Sequence, residues 1–143
     1  MDDVAQLNER ALELFRAGRF EQAAESLGQV YQARMAAGDS AAAARALNDR
    51  GVCLRQAGQV EAAEKSLLEA RALFQTLGDG CGEAQALGNL GALCESRHQD
   101  ARAIDLYREA AALLEKCGEP DLARDMRHHL ATAGQFHPEQ SVG

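Results

Sequence analysis

Residues 78–119 read GDGCGEAQALGNLGALCESRHQDARAIDLYREAAALLEKCGE, a stretch that opens and closes on a glycine followed by an acid. Going back by the same interval reaches Gly38-Asp39, so Gly38, Gly78 and Gly118 are spaced by 40 residues. Gly18 and Gly58 share that spacing, and His98 takes the third place in their series. Other positions keep step: Ala23, Ala63 and Ala103; Leu27, Leu67 and Tyr107; Leu7, Leu47 and Leu87; Ala11, Gly51 and Gly91. Coincident sets at one period mark a repeat architecture, in which each unit buries its apolar face against the next.

Between the glycines, apolar residues recur at three- and four-residue steps, as in Leu7, Ala11, Leu14 and in Ala63, Leu67, Ala70, Phe74. That spacing places them on one face of a helix. Each glycine suits a helix C-terminus, where the chain enters the left-handed region. His98 is among the residue types that tolerate it. Asp3 with Gln6 has capping-box spacing, Ser40 and Asp100 suit N-caps, and Pro120 suits a first helical turn. The expected helices are 3–17, 20–37, 40–57, 60–77, 81–97, 100–117 and 120–133. Small residues are expected to bring the two helices of each hairpin together, with Ala11 facing Ala23, Gly51 facing Ala63 and Gly91 facing Ala103.

The segment Leu87-Gly88-Asn89-Leu90-Gly91, followed by Ala103-Ile104 and Tyr107-Arg108-Glu109-Ala110, resembles a tetratricopeptide repeat. The 40-residue period resembles that family's longer subclass rather than its 34-residue form. The resemblance covers residues 3–118. It implies an all-α, right-handed superhelical solenoid of three helix–turn–helix repeats, near 3–38, 40–78 and 80–118. A capping helix at 120–133 completes a single domain over 1–133, and 134–143 is expected to be a flexible tail. Arg10 and Arg50 stand where the family usually has Leu, and Asp100 where an aromatic is usual.

Composition agrees with an all-α chain. Hydrophobic residues make up 46% and charged residues 26%, alanine dominates the apolar share, and there are two prolines. Alanine is the strongest helix former, and β-branched residues suit sheets better. A net charge of −7 gives no support to nucleic-acid binding, which needs clustered cations. No stretch approaches the ~18 apolar residues that would cross a bilayer. The start, Met1-Asp2-Asp3, lacks the apolar core of a signal peptide, so a cytoplasmic protein is expected. Cys53, Cys81, Cys94 and Cys117 are then expected as four free thiols. Cys81 and Cys117 nonetheless fall at one end of the third hairpin.

A solenoid of this kind presents one inner helix per repeat to a concave groove. In the first repeat the inner positions include Asn8, Leu12, Phe15 and Arg16. In the second they include Arg45, Asn48, Asp49, Val52 and Arg55, and in the third Gln85 and Asn89. Leu12, Phe15 and Val52 have no core duty in this register, which leaves an apolar strip flanked by amides and arginines, suited to a peptide. The arginines suggest that a ligand sets its bulky, acidic part against the first two repeats. The family's chaperone-tail binders grip a carboxylate with cations, but the matching places hold Asn8, Leu12, Asp49, Gln85 and Asn89, without a cation. Asp121, Asp125 and His129 share a helix face, yet adjacent His128 and His129 point apart, and a polar-backed capping helix explains them better than a metal site. No catalytic constellation can be placed, and no cofactor or metal is expected. The expected protein is a non-catalytic module, monomeric rather than homo-oligomeric, that binds a peptide or protein. The alternatives are a self-associating scaffold, a subunit of a larger complex, and a sensor of a signalling peptide.

Overall fold

The computed structural model describes residues 3–133. Seven helices follow one another: α1 Asp3–Arg16, α2 Phe20–Ala36, α3 Ser40–Gln56, α4 Val60–Leu77, α5 Gly80–Ser96, α6 Asp100–Lys116 and α7 Pro120–Ala133. No strand occurs among the described residues. The expected tail, 134–143, lies outside them. Contacts divide the chain into two compact units, one ending at Leu77 and the other beginning at Gly78. In the first, α1 packs on α2, α2 on α3 and α3 on α4; in the second, α5 packs on α6 and α6 on α7. Consecutive helices packed in this way are the all-α architecture of a tetratricopeptide-type solenoid.

The helix ends explain the regular turns. Gly18, Gly38, Gly58, Gly78 and Gly118 have φ between 71° and 84°, and His98 takes the same role at φ 59°. The N–H of the residue after each left-handed position then donates to a carbonyl in the helix's last turn, as Asp39 does to Arg34 at 2.9 Å and Gln99 to Cys94 at 2.8 Å. Such a Schellman closure satisfies carbonyls that the helix leaves orphaned. Pro120 opens α7 as expected, but two N-caps differ. The cap of α3 is Asp39, not Ser40, and its carboxylate accepts from the Ala42 N–H at 3.1 Å. Gln99, not Asp100, precedes α6 and makes no side-chain cap bond. Asp79 caps α5, accepting from the Gly82 N–H at 2.9 Å.

The hairpin crossings are tight where the sequence has glycine. A Cβ on Gly51 would lie 2.5 Å from Leu67 Cγ, and a Cβ on Gly91 would lie 2.7 Å from the Tyr107 ring. The nearest atoms therefore belong to Leu67 and Tyr107, four residues after Ala63 and Ala103. All of these side chains are buried, so the large residue fills the space over the glycine and the alanine packs beside it. Between α3 and α4 the Ser66 hydroxyl donates to the Leu47 carbonyl at 2.8 Å, which satisfies a fully buried polar group. Arg50, which replaces the family's usual leucine, lies over Gly28, with its Nε 3.5 Å from where a Cβ would be.

The expectation of four free thiols is corrected. Cys81, in the first turn of α5, and Cys117, just past α6, are joined by a disulfide with their Cα atoms 5.8 Å apart. The hairpin brings its two ends within bonding range, as the placement of both cysteines at one end of it allowed; the free-thiol expectation came from the expected compartment, not from geometry. Cys53 and Cys94 are buried free thiols.

Candidate functional site

The first unit holds a cavity of about 200 Å³ between α1 and α3, floored by α2. Its lining is Asn8, Ala11, Leu12 and Phe15 from α1, Leu27 from α2, and Asp49, Val52 and Cys53 from α3. The helical period accounts for this set. Asn8, Leu12 and Phe15 lie at four- and three-residue steps, and Val52 and Cys53 lie three and four residues after Asp49, so each group shares one face. Leu12 is 49% exposed and Phe15 37%; single exposed apolar residues are common, and what sets these two apart is that they share one concavity. Phe15 sits at the end of α1 and meets Phe20, the first residue of α2, edge-on with ring centroids 5.2 Å apart. The three-residue turn between α1 and α2 sets that contact and holds Phe15 at the cavity.

Two ionisable groups reach the cavity. Desolvation by the surrounding protein raises the Asp49 carboxyl above its usual value of 3.8, and the Arg45 charge one turn earlier partly opposes this. Burial pushes the Cys53 thiol up to about 11, with the Asp49 charge adding to the effect. A thiol so disfavoured as thiolate is a poor nucleophile at neutral pH. Apolar walls, one carboxylate, one amide and an inert thiol make a place for binding rather than for chemistry.

Five expected groove residues, Asn8, Leu12, Phe15, Asp49 and Val52, come together here. Arg16 and Arg45 are exposed and Arg55 is half-buried, and none of the three lines the cavity. Asn48 is buried. Gln85 and Asn89 stand on α5 in the second unit, and neither lines this cavity. Cys53 is a buried core residue that also borders the cavity, which sequence reasoning did not foresee; its position four residues after Asp49 was the available signal.

The second unit shows why the opening exists in the first. Eighty residues on from Leu12, Phe15, Leu27 and Asp49 stand Ala92, Glu95, Tyr107 and His129. There the Tyr107 ring lies over Gly91, stacks on His129 of α7 at 5.5 Å, and donates its hydroxyl to Glu95. The tyrosine occupies the space between α5 and α7 that Leu27, being shorter, leaves open between α1 and α3.

Helical hairpins closed by left-handed turns and packed one after another define a helical-repeat protein. Residues 42–116 match the tetratricopeptide repeat, and the chain belongs to that family. Repeats of this family typically serve as non-catalytic modules for protein–protein interaction. The chain is similar in fold to the crystal structure of BtubC (BKLC) from P. vanneervenii, with a TM-score of 0.67 and 19% identity. The likeness covers 96% of this chain and 64% of that one, so the chain spans less than two thirds of the other's length. No curated protein matches the sequence. Among the described residues no helix is long and apolar enough to cross a membrane.

Proposed function

We propose that this chain is a monomeric binding module that takes a segment of a partner protein on the α1–α3 face of its first unit. The observation that carries this reading is the cavity whose walls include Leu12 and Phe15, two large apolar side chains left open to solvent. Exposed apolar surface gathered in a concavity, with a few polar groups at its edge, is the usual form of a recognition site. Leu12, Phe15 and Val52 supply burial, Asn8 and Asp49 supply polar contacts, and Arg16, Arg45 and Arg55 stand around them. Gln85 and Asn89 offer a separate polar contact on the second unit. The cytoplasmic location rested on the lack of a signal-peptide core, and the reduced thiols were inferred from it; the Cys81–Cys117 disulfide, a bond of oxidising compartments, runs against that location.

The test begins with capture of partners on the immobilised protein and their identification by mass spectrometry. Binding energy concentrates in a few anchors. Phe15→Ala is therefore expected to weaken an identified partner at least about tenfold, or ~1.4 kcal/mol, with helical content unchanged. Full binding by the Leu12→Ala, Phe15→Ala double variant, with loss on changing Arg34 or Arg71 of α2 and α4, would place the site on the outer helices instead.

A further inference from the structure

We infer that the pocket between α1 and α3 selects a lysine or arginine side chain of the bound segment, with Asp49 as its counter-ion; the inference rests on the groove reading above. Asp49 is the only charged residue in the lining. Among the described residues it accepts no hydrogen bond, and the cation that acts on it is Arg45, a solvent-exposed residue on its own helix. The carboxylate keeps contact with solvent while it borders the apolar wall of Leu12, Phe15 and Val52, so it is open to a cation that a ligand brings into the pocket. Charge complementarity of this kind selects among ligands even where the pair is only partly desolvated. The raised proton affinity of Asp49 is a consequence of the same placement.

The rest of the lining fits the same occupant. Lysine and arginine carry an aliphatic stem below the charge, which Leu12, Leu27 and Val52 can cover. Phe15 adds an aromatic ring, and aromatic rings attract cations. Asn8 contributes an amide oxygen as a second acceptor. The size is also selective. About 200 Å³ is below the roughly 300–1,000 Å³ usual for whole small-molecule ligands, and suits one long side chain of a longer segment. An acidic group would meet Asp49 as a like charge, and a purely apolar one would bury it without a partner. The surrounding arginines suggest an acidic ligand when read from sequence, but Arg16, Arg45 and Arg55 do not line the cavity. The net charge of −7 further favours a basic segment.

The experiment is selection of a randomised heptapeptide display library on the intact chain, run beside Asp49→Asn and a blocked variant, Val52→Arg. The expected result is enrichment of peptides with lysine or arginine at one position beside apolar residues, with the basic preference lost on Asp49→Asn. Synthetic copies of the best peptide are then compared by fluorescence anisotropy. Asp49→Asn and replacement of the peptide's basic residue by norleucine should each weaken binding at least tenfold, and together scarcely more than either alone. Arg45→Ala should tighten binding by removing a competing cation, whereas a site for acids would weaken. Enrichment of acidic or purely apolar peptides that fail to bind Val52→Arg would overturn the cation inference and leave the groove reading standing. Peptides that bind Val52→Arg as well as the unaltered chain, or no enrichment on either, would overturn both.

Discussion

Gly51 of α3 runs so close to Leu67 of α4 that a single added methyl would sit 2.5 Å from a fully buried Cγ. Leu67 cannot yield, because its branch carbon rather than a flexible tip makes the contact. Gly51→Ala is therefore expected to destabilise the first unit. Overpacking costs about 1–3 kcal/mol, against which the better helix propensity of alanine returns about 1 kcal/mol. Gly88 is the control. Its added Cβ would meet Met126 Cε at 2.8 Å, the end of an adaptable side chain that can turn aside. Gly88→Ala should leave thermal stability unchanged or raised, and paired thermal melts measure the contrast.

Asp49 is expected to show a stability cost that depends on pH. Its carboxyl titrates above 3.8 in the folded chain, so the folded state keeps a proton that the unfolded state has already lost. Stability then falls as pH rises from about 3.8 through the raised value. Asp49→Asn should raise the melting temperature at pH 7, and the gain should vanish below pH 3.8. Solvent contact at Asp49 keeps the gain small. Melting curves of the two proteins from pH 3 to 8 decide the point, and a variant less stable at pH 7 would make Asp49 a structural residue.

The disulfide closes a loop between residues 36 apart in sequence. Cross-linking a loop of this size stabilises typically by about 2–4 kcal/mol through the unfolded chain. Reduction, or Cys81→Ser with Cys117→Ser, should lower the stability of the second unit by about that amount. The thiol count of the denatured, unreduced protein is expected to be two, from Cys53 and Cys94, rising to four after reduction.

Helix α7 covers the end of the second unit. Ala123 is fully buried, Met126 lies over Gly88, His129 stacks on Tyr107, and Arg127 pairs with Glu115 of α6. We propose that it acts as the solvating cap that a repeat array requires at its end. Ending the chain after Glu119 should lower the melting temperature and promote aggregation. An unchanged, non-aggregating monomer, seen by light scattering, would deny it that role.

The amino-acid sequence by itself determined the helices and where they stop. Their apolar stripes repeat every three or four residues, and each end needs a left-handed backbone that Gly38, Gly78 and Gly118 reach without strain. Those are properties of single residues and near neighbours, so they can be read locally. It also determined which side chains of α1 and α3 look outward, because Leu12, Phe15 and Val52 fall off the core stripe. Only the tertiary structure decided that the Leu67 and Tyr107 side chains close over the hairpin glycines. Small residues permit the close approach, and which large side chain fills the space above it depends on packing between helices. Only the tertiary structure, too, joined Cys81 to Cys117 and left Asp49 as the one charge in a pocket lining without an arginine. Both depend on distances between helices, and the spacing of residues along one helix carries no measure of those.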